Sequence, residues 1–555
     1  MSGINAGACL ENCFVKTFLL DLPVAATFVH RSYNNCVQAD YGSSIWKYVA
    51  FETAWTSQDV VIVGDIASKQ YVLIGAVTAF RSFTHFIVHK EQNRFTSVTA
   101  YQPEIRKGEK PEEIIVLKGS DWRLLLIDYA KTAAERMGAR GADTAKNCTG
   151  YCSWYYYYHQ VTERQFIESV EALAAKKAIF PAQYAQIDDG YQIYHGDWLE
   201  QNENWPTPLA DTVKKINDMG MQAGIWTMPF LASKTSKVFK KHSDWFVCDR
   251  HKQPWYIPGW SPEPNHEWAC LDISRPDVQK HLYNVYETLY DWGFRYFKFD
   301  GGGFSAPAGI RYAPDATGVS CLRDGLKLIR KAVKDSLILG CGMPFLASIG
   351  IVDNNRVSSD TGKTWQAWGL PTVEGQAIDK SQPCDPVAPS LKIAVYGTLN
   401  RWWQYDRWFR ADPDVVMARD ENTGLTAAEA RTSALTAIIT GVAFTSDRLD
   451  KMGEDRLRLL SLAAKLRIRD LKPLDWENKV YSYLFEGAID DCRAIAIFNY
   501  SEYPQKFKLS ELNMPAVCRE LLHPLEKVSD LIEIASHDAV LIVEGRYELE
   551  RKCIK

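Results

Sequence analysis

The chain has 555 residues, a net charge of −4, and a composition of 46% hydrophobic and 24% charged residues. This length exceeds what a single compact core usually organises, so we expect two or three domains. The sequence has neither a basic excess nor an acidic block, and this balance argues against a nucleic-acid-binding protein and against a charged tail.

The cysteines and the N-terminal segment narrow the class further. The 13 cysteines are scattered without a CxxC pair or a Cys/His metal spacing, which favours free thiols and predicts no metal site and no cofactor. Lys16, Asp21 and Pro23 interrupt the first apolar stretch, so it does not resemble a signal peptide. No window of 18 residues is continuously apolar. We therefore expect a cytoplasmic protein without a membrane or nucleic-acid partner.

Short β-branched runs dominate the first part of the chain. Val60–Val63 and Tyr71–Ile74 are typical of strands, and they predict an N-terminal β domain over residues 1–140 with antiparallel pairing.

Residues 141–455 change to apolar runs that alternate with amphipathic segments, which is typical of βα units. Five runs are predicted to be strands: Ala185–Ile187, Gln222–Trp226, Tyr296–Phe299, Leu337–Gly340 and Arg356–Ser358. Between them, Thr162 with Gln165 predicts a capping box. Ser274 is expected to cap a helix that has Pro276 in its first turn.

Strands return after a last helix, so residues 456–555 are predicted to form a helix and then a small C-terminal β-sandwich domain. The runs that predict these strands are Lys479–Leu484, Ala494–Phe498 and Val540–Val543.

The central βα units could form a (β/α)8 TIM barrel or a doubly wound sheet. A doubly wound dinucleotide-binding sheet needs a GxGxxG turn, and Gly301–Gly303 lacks that spacing. A barrel is therefore preferred, and its active-site loops follow the carboxyl ends of the strands.

Polar residues stand where the predicted strands end. The candidates are Asp188, Asp189, Trp226, Asp300, Cys341, Arg356 and Asp360. Glycoside hydrolysis needs two carboxyl groups that flank the bond to be cleaved, and Asp300 and Asp360 supply such a pair. Lys298 precedes Asp300 by two residues, so strand alternation places both on one face.

Each of these signals alone has a structural explanation. Asp188-Asp189-Gly190 is more often a turn, and an Arg four residues from an Asp is usually an ordinary ion pair. Their occurrence in order at successive strand ends is what favours a site.

The ordered set resembles glycoside hydrolase clan D, and family 36 in particular, over about residues 148–450. The motifs that carry the resemblance are Tyr151-Cys152-Ser153-Trp154-Tyr155, Asp188-Asp189-Gly190-Tyr191-Gln192, Gly224-Ile225-Trp226, Lys298-Phe299-Asp300, Arg356-xxx-Asp360 and Ala411-Asp412-Pro413-Asp414. The last departs from an Asn-Asp-Pro-Asp pattern, because Ala411 replaces the asparagine. Family members also flank the barrel with β domains.

The resemblance implies a retaining mechanism on terminal α-galactosides, with Asp300 as nucleophile and Asp360 as acid/base. It implies that Asp188 and Asp189 accept hydrogen bonds from the galactose 4- and 6-hydroxyls. Four further positions match sugar-contacting residues: Trp154, Trp226, Lys298 and Arg356. Cys341 begins the segment that faces the 2-substituent in related enzymes.

Several alternatives stay open at this point. One is a galactosyl transferase similar to raffinose synthase, and another is an α-N-acetylgalactosaminidase on the same scaffold. A silent sugar-binding protein finds no support, because both carboxylates are present. A metal enzyme built on Asp188, Asp189 and Asp300 is disfavoured by Lys298 within the cluster. The expected partner is an oligosaccharide or glycoside substrate, and self-association into a homo-oligomer is left open.

Overall fold

The computed structural model describes residues 13–23, 27–31, 45–46, 54–65, 67–91, 94–141, 147–258, 267–366, 389–475, 482–523, 528–545 and 547.

The N-terminal part consists of two antiparallel sheets. Its strands are β1 (Cys13–Pro23), β2 (Thr27–Arg31), β3 (Ile45–Trp46), β4 (Ala54–Gln58), β5 (Val60–Asp65), β6 (Gln70–Ala76), β7 (His85–Glu91), β8 (Arg94–Arg106) and β9 (Ile114–Gly119). They pair in the orders β1-β8-β7-β4 and β3-β2-β5-β6-β9. The antiparallel pairing predicted from the β-branched runs is confirmed.

Strand β5 is buried on both faces, which explains its continuous apolar sequence. Val61 and Val63 pack in a cluster shared with the other sheet. Val60 and Ile62, which alternate with them, belong to the core shared with helix α1 (Trp122–Met137).

The centre of the chain forms the barrel and one small additional sheet. The strands are β10 (Cys148–Cys152), β11 (Tyr184–Ile187), β12 (Gln222–Thr227), β13 (Leu231–Ser233), β14 (Tyr256–Pro258), β15 (Glu267–Cys270), β16 (Tyr296–Phe299), β17 (Leu337–Cys341), β18 (Asn354–Arg356), β19 (Arg410–Asp412), β20 (Val415–Val416) and β21 (Val442–Thr445). Strands β13–β15 pair antiparallel in the loop after β12.

The other nine strands make one parallel sheet in the order β19-β18-β17-β16-β12-β11-β10-β21-β20. Its two outermost members, β19 and β20, follow each other along the chain with only Pro413 and Asp414 between them. They therefore act as one interrupted strand that closes the sheet into an eight-stranded barrel, and the predicted (β/α)8 fold is confirmed.

Helices follow the barrel strands in turn. They are α2 (Trp154–Tyr157), α3 (Glu163–Ala175), α4 (Leu209–Asp218), α5 (Lys237–Lys241), α6 (Pro276–Asp291), α7 (Gly318–Val333), α8 (Phe345–Ser348), α9 (Leu391–Leu399), α10 (Ala427–Thr440) and α11 (Glu454–Lys465).

Local signals set several helix ends, with one correction. Thr162 and Gln165 form the expected capping box of α3. The residue at the N-cap of α6 is Arg275, which makes no side-chain cap, so the prediction for Ser274 was wrong. The Ser274 hydroxyl instead donates to Asp272 Oδ1 at 2.7 Å, and its oxygen accepts from the backbone N–H of Ala313 at 3.0 Å rather than from the helix.

Aromatic rings fill the lower barrel, away from the strand carboxyl ends. Tyr184, Tyr296 and Phe444 come from different strands, and neighbouring ring centroids are 5.1 Å apart. Glycine at position 150 makes room for them, because a Cβ there would lie 2.4 Å from Phe444. These aromatic rings fill the lower barrel, so a ligand would enter from the end where the strand carboxyl ends lie.

The C-terminal part is again antiparallel. Its strands are β22 (Arg469–Pro473), β23 (Leu484–Ile489), β24 (Cys492–Phe498), β25 (Gln505–Lys508), β26 (Cys518–Glu520), β27 (Leu531–Ile534) and β28 (Ala539–Glu544). A five-stranded and a two-stranded sheet enclose an apolar cluster, as expected for a small sandwich. Arg431 of α10 pairs with Asp538 beside β28 at 2.7 Å and joins this part to the barrel.

The structure describes only half of one predicted strand. Residues 479–481 of the predicted strand Lys479–Leu484 lie outside the described residues, residues 482 and 483 are not in a strand, and β23 begins at Leu484. The domain limits at residues 140 and 455 stay predictions. Within the described part of the chain, no helix is both long and apolar enough to cross a membrane.

Candidate active site

All the side chains predicted for the site lie at the carboxyl-end opening of the barrel, which we call the cup. They are Trp154 after β10, Asp188 and Asp189 after β11, Trp226 in β12, Lys298 in β16, Asp300 after β16, Cys341 in β17, Arg356 in β18 and Asp360 after β18. The register supports this placement, because Trp226 lies opposite Lys298 and Cys341 lies opposite Arg356 on neighbouring strands.

Asp300 is held at the mouth of β16 by two donors. The indole N–H of Trp226 donates to Oδ2 at 3.1 Å, and the backbone N–H of Gly301 donates to Oδ1 at 2.7 Å. Gly301 has a φ of +70°, and a Cβ on it would lie 2.6 Å from Leu231. The glycine therefore lets the chain turn away directly after Asp300, whose side chain stays partly exposed.

Asp188 sits deeper, and three side chains donate to a single one of its oxygens. Lys298 Nζ reaches Oδ2 at 2.9 Å and Cys152 Sγ reaches it at 3.2 Å, while the Gln186 amide also donates to it. Burial alone would lower the pKa of Lys298, but the facing carboxylate of Asp188 outweighs burial and raises it well above its usual range. The two side chains therefore form a buried ion pair.

Asp189 is fixed by a different set of partners. Its Oδ1 accepts from Gln192 at 2.6 Å and from His195 Nε2 at 3.1 Å, and its Oδ2 lies 3.3 Å from His159 Nδ1. Burial alone would raise the pKa of Asp189, but the two facing imidazoles outweigh it and hold the pKa well below its usual range.

A second contact determines how His195 meets Asp189. The indole N–H of Trp268, in β15, donates to His195 Nδ1 at 3.1 Å. An indole N–H can only donate, so Nδ1 must accept and the imidazole proton sits on Nε2, facing Asp189. The antiparallel insertion β13–β15 thus supports the carboxylate from behind.

The opposite wall of the cup carries Asp360 and Arg356. Arg356 Nη1 lies 2.6 Å from Asp360 Oδ1, and the Asp360 side chain is 40% exposed. The same guanidinium nitrogen lies 3.7 Å from Asp414 Oδ2, so two carboxylates share one cation. Asp412 is buried beside Asp414, and burial raises the pKa of Asp412 to about 7.

The two remaining predicted residues differ in exposure. Trp154 is partly exposed at the rim, with its ring centroid 4.7 Å from that of His159 and 5.2 Å from that of Tyr158. Cys341 is fully buried, and burial raises the pKa of its thiol, so it lines the cup as a neutral group.

The structure adds residues that sequence reasoning did not assign: Cys152, Gln186, His159, Gln192, His195, Tyr155, Asp412 and Asp414. For Gln186 a signal existed, because it precedes Asp188 by two residues and strand alternation turns both inwards. Gln192 ends the motif that begins at Asp188, and this motif was its signal in the sequence. For His195 no signal existed, because it lies in an irregular loop.

Nothing in the described part of the chain suggests a metal centre. Among those residues, no three His, Cys, Asp or Glu side chains are grouped so as to hold an ion. The ammonium group of Lys298 also occupies the position beside Asp188 that a cation would need.

Comparison with known proteins gives matches to the melibiase family model and to proteins named α-galactosidase or galactosaminidase. The melibiase family model matches residues 169–304, which run from α3 to just beyond Asp300. The α-galactosidase AgaA of Geobacillus stearothermophilus is 24% identical over 156 residues, which are 27% of this chain and 20% of that protein. The A type blood α-D-galactosamine galactosaminidase of Flavonifractor plautii is 28% identical over 119 residues, which are 20% of this chain and 11% of that protein.

Solved structures match over much more of the chain. TtGalA, an α-galactosidase from Thermus thermophilus, superposes with a TM-score of 0.67 at 22% identity, covering 86% of this chain and 92% of that one. AgaA, described as a glycoside hydrolase family 36 α-galactosidase, superposes with a TM-score of 0.60 at 13% identity, covering 95% and 76%.

The fold and the cup together define a (β/α)8-barrel protein with a carboxylate-lined opening. Residues 169–304 match the melibiase family model, and the chain has the fold seen in the family 36 α-galactosidases.

Proposed function

We propose that the protein is a retaining α-galactosidase, which removes terminal α-galactosyl groups from oligosaccharides or other glycosides. One observation carries the proposal above the others. Asp300 stands at the mouth of the barrel with Trp226 and Gly301 as its donors, and Asp360 faces the same cup from another strand with Arg356 as its partner.

The reaction assigns one task to each carboxyl group. Ionised Asp300 attacks the anomeric carbon and forms an ester to the sugar, while Asp360 gives its proton to the departing oxygen. Asp360 then removes a proton from water, the water oxygen bonds to the anomeric carbon, and the ester bond to Asp300 breaks. The sugar leaves with its original configuration, and both carboxyl groups return to their starting states.

Asp188 and Asp189 suit the role of hydroxyl acceptors. Asp188 pairs with the ammonium group of Lys298, and the imidazoles that face Asp189 hold the pKa of that carboxyl well below its usual range. A carboxylate accepts a stronger hydrogen bond from a sugar hydroxyl than a neutral group does. An axial 4-hydroxyl beside these oxygens would favour galactose over glucose. Lys298 would donate to neighbouring hydroxyls, and Trp154 would offer an apolar face at the rim.

A second candidate is an α-N-acetylgalactosaminidase. The match to the galactosaminidase of Flavonifractor plautii favours it, since that protein acts on a sugar with a nitrogen substituent at carbon 2. The segment at the end of β17 that would face this substituent is buried, since Cys341 and Met343 have no exposed surface.

A direct test compares nitrophenyl α-galactoside, α-N-acetylgalactosaminide and α-glucoside at equal enzyme concentration. We expect kcat/KM to be highest on the galactoside, and product analysis with and without sucrose should show water as the main acceptor. Asp300→Asn, purified in parallel, controls for host glycosidases. Preference for the acetamido sugar would select the second candidate, transfer to sucrose would select a transferase, and failure on all three sugars would reject the proposal.

A further inference from the structure

Strands β19 and β20 form one interrupted barrel strand. The break between them places the carboxylate of Asp414 directly behind Asp360, the proposed acid/base. Strand β19 ends at Asp412 and β20 resumes at Val415, with Asp414 between them at a φ of +80°. Residues other than glycine rarely adopt this left-handed conformation, although Asp and Asn tolerate it best. Strain of this kind persists only where surrounding contacts enforce it.

Asp414 Oδ2 is the meeting point of those contacts. It accepts from the backbone N–H of Thr361 at 2.9 Å and from the hydroxyl of Tyr155, and it lies 3.7 Å from Arg356 Nη1. The backbone N–H of Asp414 in turn donates to Asp412 Oδ1 at 2.9 Å. A single buried carboxylate oxygen therefore joins three barrel strands.

Two partners of Asp414 Oδ2, Thr361 and Arg356, also determine how the Asp360 side chain is held. Thr361 is the next residue in the chain, so anchoring its N–H fixes the backbone from which the Asp360 side chain projects. Arg356 is the cation that Asp360 contacts, and Asp414 holds the same guanidinium from the other side. The Asp360 side chain is 40% exposed, so the protein controls it mainly through these two attachments.

We infer that Asp414 is a positioning residue for the acid/base, which orients Asp360 through Thr361 and limits how strongly Arg356 stabilises its ionised form. The inference rests on the proposed function of the same site. Among the described residues, the other titratable groups that face this cluster are Tyr155, Lys298, Cys341 and Asp412, and Asp412 is the neighbour that links it back to β19.

The test is Asp414→Asn, because asparagine tolerates the same backbone conformation and removes only the charge. For a disaccharide substrate, we expect kcat/KM to fall about 10- to 100-fold, within the range that acid catalysis contributes. The alkaline limb of its pH profile should move to lower pH by roughly 0.5–1 unit, because Arg356 then pairs with Asp360 alone. For a dinitrophenyl galactoside, whose leaving group needs no proton, kcat/KM should change less than about threefold.

Two further variants keep the inference testable. Tyr155→Phe removes one donor to Asp414 and should give a smaller loss, of about 3- to 10-fold, again confined to the disaccharide. Asp353→Asn changes a carboxylate that binds Arg330 before β18, at the opposite end of the barrel, and should leave both substrates unaffected.

Equal losses on the two substrates, or an unmoved pH limb in folded Asp414→Asn, would overturn the inference. If Asp414→Asn does not fold, an equal loss or no loss in Tyr155→Phe would overturn it instead. Inactivity of the wild type on every α-galactoside would reject the proposed function, which is a separate outcome.

Discussion

The carboxylates on the two walls of the cup differ in burial and in how their side chains are held. Asp188 and Asp189 are only 2% exposed, and several side-chain donors hold each of them. Asp360 is partly exposed, and its side chain contacts a cation that Asp414 shares. Groups that recognise a sugar must stay ionised and fixed, whereas a proton carrier must exchange with water during each cycle. The difference in burial fits the different tasks that we propose for these residues.

Removing the proposed nucleophile, Asp300, should reduce hydrolysis more than any other change. It should leave the carboxylates on both walls of the cup in place. We expect Asp300→Gly to lose hydrolysis almost completely, because the variant lacks the carboxylate that attacks the anomeric carbon. Azide could enter the vacated space and attack an activated α-galactoside, which should give the β-galactosyl azide. The product is identified by NMR, and an α-azide or no rescue in a folded variant would count against the role of Asp300.

The exposed wall is tested by Asp360→Ala. Acid catalysis is worth on the order of 10²–10⁴-fold and matters only when the leaving group is poor. We therefore expect kcat/KM to fall by that factor on an alkyl galactoside or disaccharide and to change little on a dinitrophenyl galactoside. Parallel losses on the two substrates would show that Asp360 does not carry the proton.

The buried wall is tested by Asp189→Asn. A charge-assisted hydrogen bond to the sugar becomes a neutral one, at a cost of about 1.5–3 kcal/mol, or roughly 10- to 150-fold in kcat/KM. The loss should be similar for good and poor leaving groups, in contrast to that of Asp360→Ala. Asp353→Asn provides the matched control. An unchanged kcat/KM in folded Asp189→Asn would remove Asp189 from the recognition wall.

The smallest expected effect is on the stability of the folded protein, and it comes from Asp412. Because the pKa of folded Asp412 is raised to about 7, the folded protein keeps a proton that the unfolded chain releases above about pH 4. Stability should therefore fall as pH rises from about 4 to 7. Asp412→Asn cannot ionise, so it should be more stable than the wild type at pH 8, by roughly 2–4 kcal/mol, with the difference vanishing near pH 4.

Thermal unfolding at several pH values measures this difference. A pH-independent difference, or a destabilised variant at pH 8, would contradict a raised pKa of Asp412 in the folded protein.

The sequence predicts the apolar strands of this fold better than its polar ones. Tyr296–Phe299 matches β16 at both ends, and the predicted Gln222–Trp226 is one residue shorter than β12. By contrast, Arg356–Ser358 was predicted where β18 spans Asn354–Arg356. The two adjacent asparagines conceal that strand, because they point to opposite faces and hydrophobic periodicity cannot detect a strand with polar residues on both faces.

The residues of the candidate site also differ in how well the sequence predicts them. Residues at strand ends, such as Asp300 and Arg356, could be found because a barrel gathers those ends. Loop residues such as His195 could not be found, since their position depends on contacts with Trp268 and the inserted sheet. Asp414 belongs to a recognised motif, but its role depends on Thr361 and Arg356, which only the three-dimensional structure brings to it.

The most direct measurement follows the anomer that the wild type releases first. A retaining enzyme needs its two carboxyl groups about 5–5.5 Å apart, whereas an inverting one needs about 6.5–9.5 Å to admit a water. With a nitrophenyl α-galactoside and enough enzyme to outrun mutarotation, proton NMR should show α-galactose before any β-galactose. Initial release of the β-anomer would contradict the retaining mechanism and the role of Asp300 as nucleophile.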